Sequence, residues 1–358
     1  MSKSQSKVVY SKGNTPLNYV PEDYLPAGAT GQWLVLREGV DAGKKLFFYD
    51  VTVGDGEPEA TLFFVHGNPE CSYTYRQTME QVIAQTDKTL RIIAMDHIGF
   101  GLSDQASFEM VDYHHTNNLK QLIAHLNVTD VTLVIHDWGG AIGVGAFIDS
   151  PQRVSSLVLM NTTIFPMPAE GDTYTNFPFP GPLAWNRLGT YLPWRVWKHV
   201  PPMVMFSPAS KPGFALHGLK FALRSLTGQL NEEEKMYRRM FRTEANARSS
   251  MRNVKQTRVW GHGYRYFDDR EGWQDNREFY RNMQAKIGAC WGPKGQNIPV
   301  RGFFGLFDPC AKTQVQQQWL DALPQLQGYI TCFENRGHFV EEHEPQAIAS
   351  GIVSAAGL

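Results

Sequence analysis

A doubly wound α/β fold with a long helical insertion is what this sequence predicts, on three observations. There are short apolar runs without strict alternation, helix-length segments between them, and one extended interruption of that rhythm. Strands covered on both faces of a parallel sheet read as near-continuous apolar runs, because neither face meets water. Thr61–Val65, Leu90–Ala94, Val131–Ile135 and Ser156–Met160 have that character. The segments between them, Tyr73–Ala84, His115–Leu126 and Gly140–Ile148, are long enough for crossover helices. Upstream, Trp33–Arg37 and Lys45–Val51 flank Val40-Asp41-Ala42-Gly43, a turn that tolerates positive φ, so an antiparallel pair is expected there.

The alternation stops after Asn161, and for more than a hundred residues the chain is rich in Pro, Trp, Tyr, Met and Arg. Spacing near the helical period predicts helices over Pro182–His199, Gly213–Leu226, Glu232–Phe241 and Asn276–Ile287, with Asn231 as an N-cap. The run Gly261–Tyr266 with Asp268-Asp269-Arg270 reads as a loop of this lid carrying surface ion pairs. Strand and helix then resume with Val300–Phe304, Thr313–Leu323, Tyr329–Phe333 and a last helix from Pro345. The expected organisation is an N-terminal arm (1–30), a split core (31–165 and 291–358) and a helical cap (166–290).

The 358 residues are 42% hydrophobic and 19% charged, enough for a sizeable core. A formal net charge of -1 and a pI near 6.8 give the whole chain no basic surplus for nucleic acid or an anionic membrane, so small-molecule partners are expected. Met1–Tyr10 is polar and lysine-bearing without a signal-like apolar region, and no stretch is apolar for long enough to span a bilayer; a cytoplasmic location is the expectation. Cys71, Cys290, Cys310 and Cys332 form no Cys-x-x-Cys pair, so free thiols are expected and neither metal nor cofactor is called for.

The chemistry concentrates at strand ends. Val134-Ile135 runs into His136-Asp137-Trp138-Gly139-Gly140 and then a helix, the strand–turn–helix context of a nucleophile elbow. Such a turn lifts its central residue, here Asp137, above the sheet near the positive end of a helix dipole. The competing reading is a plain helix N-cap. The other strand ends favour the elbow. His66-Gly67-Asn68-Pro69 follows Thr61–Val65, so the N–H groups of Asn68 and Trp138 are the expected oxyanion donors. His66 is expected to hold its loop rather than move protons. Asp308 lies in Gly305-Leu306-Phe307-Asp308-Pro309 and His338 in Asn335-Arg336-Gly337-His338-Phe339, each after one of the last strands, in the chain order nucleophile, acid, histidine. Asp308 would orient His338, which would take a proton from water. The sequence His338–His343 fits no zinc motif and reads as a solvated acidic turn, so no metal site is assigned.

A carboxylate nucleophile suits displacement at a saturated carbon, giving an alkyl ester that activated water then cleaves. A halide leaves without a proton but needs N–H donors in a dry site, which the side chains of Asn68 and Trp138 would supply. An epoxide oxygen needs an acid, usually paired tyrosines, and the lid offers Tyr174, Tyr191, Tyr237, Tyr264, Tyr266 and Tyr280.

These motifs, with Asp96-His97-Ile98-Gly99-Phe100-Gly101-Leu102-Ser103-Asp104, resemble the haloalkane dehalogenase family. The resemblance covers roughly residues 30–165 and 295–358 and implies the α/β-hydrolase fold: a mostly parallel eight-stranded sheet flanked by helices, with an inserted helical cap. It implies an apolar substrate, a halogenated alkane, with halide as a product. Two positions depart from the common pattern: Ile135 replaces a frequent glycine, and Asn161 stands where one large subgroup carries its catalytic Glu. Asparagine cannot hold the imidazolium, so the acid falls to Asp308. The resulting set resembles a smaller subgroup that includes β-lactone decarboxylases of olefin biosynthesis, which Met160-Asn161-Thr162 and Phe165-Pro166 also resemble. β-lactone decarboxylase, epoxide hydrolase and a non-catalytic ligand-binding or light-emitting relative are the alternatives. Oligomeric state is not legible.

Overall fold

The computed structural model describes residues 15–358. Both Met1–Tyr10 and the start of the expected arm lie outside the described residues. The strands are β1 (Gln32–Val35), β2 (Lys45–Val53), β3 (Ala60–Val65), β4 (Leu90–Met95), β5 (Val131–His136), β6 (Val154–Met160), β7 (Arg265–Asp268), β8 (Gly272–Asp275), β9 (Val300–Gly305) and β10 (Ile330–Phe333). Eight of them form one sheet in the order β1-β2-β4-β3-β5-β6-β9-β10. β1 with β2 and β2 with β4 are antiparallel, and the remaining pairs are parallel. The central runs are apolar on consecutive residues because successive side chains serve opposite faces. Phe63, Ile93, Leu133 and Ile135 enter one buried cluster, whereas Leu62, Phe64, Ile92 and Val134 enter the other.

Helices α1 (Arg76–Ala84), α2 (Asp112–Leu126) and α3 (Trp138–Phe147) connect the first strands. Between β6 and β9 come α4 (Trp185–Tyr191), α5 (Trp194–Trp197), α6 (Val200–Met205), α7 (Lys211–Leu226), α8 (Glu232–Met240), α9 (Glu244–Gln256) and α10 (Arg277–Trp291). The chain closes with α11 (Thr313–Ala322), α12 (Val340–His343) and α13 (Pro345–Ala356). Each crossover lands on one face: α2, α3 and α10 contribute Leu119, Ile142 and Met283 to the first cluster, while α1 and α13 give Met79 and Ile352 to the second.

Two local expectations change, and two helices, α6 and α9, stand where none is expected. Pro182–His199 is not one helix: Leu192 sits extended at φ -67 and ψ 133 before Pro193, as the proline ring requires of its predecessor, so α4 ends and α5 starts. The segment read as a lid loop contains the antiparallel hairpin β7–β8, with Arg265 opposite Asp275. Its strands, Arg265-Tyr266-Phe267-Asp268 and Gly272-Trp273-Gln274-Asp275, are four residues each and lack a clean two-residue alternation, so they leave no strand signal in the sequence. α6 and α9 carry no N-terminal signature comparable to that of α8, where Asn231 accepts from Glu234 N–H and Glu234 reaches back.

Candidate active site

β5 passes into α3 through Asp137, whose backbone at φ 50 and ψ -128 is one few non-glycine residues adopt. The tightness of this turn explains the glycines that follow. A Cβ on Gly139 would lie 2.2 Å from the Val65 carbonyl oxygen, and one on Gly140 would lie 1.9 Å from Thr162 Oγ1. Asp137 does not cap its helix: its side chain accepts nothing from α3. Instead Oδ1 accepts the Asn68 N–H at 2.7 Å, and Oδ2 lies 3.0 Å from His338 Nε2.

His338 Nδ1 is 2.8 Å from Asp308 Oδ2. The other oxygen of Asp308 accepts Cys310 N–H at 2.8 Å and the Tyr174 hydroxyl at 3.0 Å, so this carboxylate is fixed at both ends. Burial disfavours a charged His338, but Asp308 and Asp137 outweigh it and hold its pKa well above the usual value. Asn161 serves as a clamp. Its Oδ1 accepts Gly305 N–H at 2.8 Å and its Nδ2 donates to Gly305 O and Gly337 O at 3.3 Å, tying the loop of Asp308 to that of His338.

The Asn68 side chain can be oriented by counting donors. An indole N–H only donates, so Trp197 Nε1, 2.9 Å from Ser250 Oγ, makes the serine oxygen an acceptor. With that lone pair engaged, the Ser250 hydroxyl donates its proton to its other neighbour, the Asn68 amide oxygen, at 2.6 Å. That atom is therefore Oδ1, and the Asn68 NH₂ is left to the cavity. Trp138 is held by a parallel stack on Trp260, centroids 4.1 Å apart and planes at 14°, and the Trp260 indole N–H is itself used on Thr163 O at 2.8 Å. The cavity over Asp137 is lined by Asn68, Trp138, Trp185, Trp197, Phe214, Trp260, Phe307, Asp308 and His338, with Tyr174 and others, so few polar groups converge in an apolar wall.

Every residue expected in the site thus lines one cavity. His66 holds its loop, its Nε2 accepting the His97 N–H at 2.9 Å and its Nδ1 donating to Gly67 O at 2.8 Å. Sequence reasoning missed Ser250, Trp197 and Trp260, which lie in the irregular insertion with no motif around them. It also missed Glu70, whose only signal was its place one residue after Pro69.

The acidic stretch after His338 is a correction. Glu341 and Glu342 are buried rather than solvated. Glu342 pairs with Arg76 at 3.0 Å, and Glu341 faces His136, 3.5 Å away, which also contacts Glu70 at 2.5 Å. His136 Nε2 donates to the His338 carbonyl at 2.9 Å, so this buried charge cluster supports the backbone of the candidate base. Glu70, His136 and His338 bring ligand atoms within 4.8 Å of one another, but both His338 nitrogens already face carboxylates, which leaves it no free lone pair for a metal.

Burial raises Glu341 to about 8, with Glu70 adding to the rise. Burial lowers His136, but Glu341 and Glu70 overcome it and bring His136 to about 9. Both pKa values are raised, so the folded chain holds more protons than the unfolded one. Their stabilisation is complete below the ordinary values and is lost as pH rises through about 8 and about 9. Thermal midpoints are therefore expected to fall on going alkaline. The fall should be shallower in Glu341→Gln, and equal slopes by scanning calorimetry would refute this.

The sheet order and the turn from β5 into α3 define an α/β-hydrolase fold with Asp137 at that turn. Residues 60–195 match the family model described as alpha/beta hydrolase fold. Over 130 residues the chain is 39% identical to a cis-3-alkyl-4-alkyloxetan-2-one decarboxylase of Shewanella oneidensis, covering 35% of this chain and 38% of that protein. It is 37% identical over 130 residues to a haloalkane dehalogenase of Mycolicibacterium smegmatis, covering 35% and 39%. The chain thus spans less than half the length of these relatives. The crystal structure of haloalkane dehalogenase DbeA from Bradyrhizobium elkani superposes with a TM-score of 0.64 at 18% identity, over 92% of this chain and 98% of that one. Epoxide hydrolase CorEH superposes at 0.58 with 17% identity, over 92% and 99%.

Proposed function

We propose that this chain is a hydrolase that cleaves carbon–halogen bonds of haloalkanes, with residues 31–165 and 291–358 as core, 166–290 as cap and a cytoplasmic setting. The observation that carries this reading is the Asn68 amide, turned by Trp197 and Ser250 so that its NH₂ faces the cavity beside Asp137. Asp137 Oδ attacks the carbon bearing the halogen; that C–O bond forms as the carbon–halogen bond breaks, and the halide is received by Asn68 NH₂ and the Trp138 indole N–H. Esterification removes one of the two carboxylate charges that hold the proton on His338, so its pKa falls and it releases that proton. Neutral His338 then takes a proton from water, whose oxygen attacks the Asp137 carbonyl carbon. The tetrahedral oxyanion is held by the N–H groups of Asn68 and Trp138. Collapse frees the alcohol and restores the carboxylate. The net products are alcohol, halide and one proton.

Incubation with 1,2-dibromoethane and 1-iodohexane is expected to release halide and acidify a weak buffer; no halide across such a panel would sink the proposal. Ester hydrolysis needs neutral His338, so its single-turnover rate is expected to fall as pH falls through the pKa of His338 in the ester, while alkylation persists. Ser250→Ala would free the Asn68 amide to rotate. Bromide binding, read by tryptophan fluorescence, is then expected to weaken roughly tenfold, the worth of about one hydrogen bond. Unchanged affinity would detach Ser250 from the site.

Similarity to the oxetanone decarboxylase favours a second reading. Asp137 would open a β-lactone at its saturated ring carbon, and loss of carbon dioxide would expel the Asp137 carboxylate and leave an alkene, with no water consumed. Alkene and carbon dioxide from a long-chain cis-β-lactone, without halide release from haloalkanes, would select it. The epoxide reading has less support. Of the lid tyrosines named above only Tyr174 lines the cavity, and its hydroxyl is used on Asp308.

A further inference from the structure

Helix α7 has apolar residues on both sides. Phe214 lines the catalytic cavity and Phe221 is buried, yet the opposite side presents Leu216, Leu219, Leu223 and Leu226, exposed by 53%, 71%, 63% and 87%. These four recur at helical spacing and share one face. A contiguous leucine face of this kind is expected to be covered by something apolar.

The charge around it identifies the cover. Between Asp172 and Glu232 the chain has no carboxylate side chain, but it carries Arg187, Arg195, Lys198, Lys211, Lys220 and Arg224. Lys211 pairs with Asp172 at 3.7 Å and Arg224 with Glu234. The other four have no carboxylate within ion-pair reach among the described residues. The near-neutral charge of the whole chain conceals this local excess. Lys220 borders the leucine face, and the stretch bearing Lys198 joins α7 through His199 Nδ1 and Ser225 Oγ, 3.1 Å apart. A second copy docked through the same patch would bring these cations against their own counterparts.

We propose that α7 lies in the surface of an anionic lipid bilayer, its leucines among the acyl chains and Lys220, Lys198 and Arg195 at the headgroups. No described helix is long and apolar enough to cross a membrane, and an in-plane amphipathic helix needs no such length. Because the inner face of α7 walls the cavity, this docking sets the cap against the phase in which apolar substrates concentrate. The proposal stands apart from the chemistry at Asp137.

The test is co-flotation of the full chain with vesicles of phosphatidylcholine and phosphatidylglycerol, compared with phosphatidylcholine alone. The wild type should float with the anionic vesicles, less so as salt is raised. Leu219→Glu with Leu223→Glu, at unchanged thermal midpoint, should lower the bound fraction roughly tenfold or more. Lys198→Glu with Lys220→Glu should remove the preference for anionic lipid. Wild type that stays with the unbound protein, or a leucine variant that floats equally well, would overturn the proposal. So would a dimer in sedimentation velocity that the leucine variant abolishes, in the absence of vesicle binding: the cover would then be a second copy.

Discussion

His338→Phe is expected to stop the reaction halfway. With 1-iodohexane, the intact variant should gain the mass of a hexyl group less a proton, and peptide mapping should place it on Asp137. Displacement needs the carboxylate, which keeps its Asn68 N–H, while the following hydrolysis loses its base. Steady-state turnover should fall by about 10² to 10⁴, the usual worth of a positioned general base. Phenylalanine keeps the ring that packs 4.7 Å from His136, so lost packing is a small part of the effect. An unmodified variant after incubation, with the wild type active, would remove the two-step account.

Asp137→Ala should have the larger effect on rate and the opposite one on mass. Without the carboxylate no ester can form, so turnover should drop by on the order of 10⁴ or more with no adduct. The variant should still fold, since Asp137 makes no cap bond to α3 and alanine keeps only the Cβ that this positive-φ backbone already accommodates. Residual activity near the wild-type level would mean that water attacks substrate directly.

What was legible in the sequence was what strand ends impose. A residue such as Asp137, Asp308 or His338 that must stand at the carboxyl edge of a parallel sheet is followed by a turn, and turns leave local marks: Gly139 and Gly140, Pro309, and Gly337 just ahead of its histidine. Contacts between distant segments leave none. Ser250 orients Asn68 across 182 positions, and Tyr174 steadies Asp308 across 134. Nothing near either residue marks it. Glu341 shows the converse error. Two adjacent glutamates look solvated until the fold buries them against Arg76 and His136 from other elements. Helix ends follow the same rule: α8 was read closely because Asn231 and Glu234 form a local capping box, whereas the break at Leu192-Pro193 was lost within a longer apolar stretch.

The central claim is that oxygen reaches the substrate carbon from Asp137 rather than from water. One turnover of 1-iodohexane by excess enzyme in H₂¹⁸O tests it most directly. The account predicts 1-hexanol carrying ¹⁶O, with ¹⁸O appearing in the peptide that contains Asp137. Hexanol labelled with ¹⁸O in that first turnover, beside an unlabelled peptide, would contradict it.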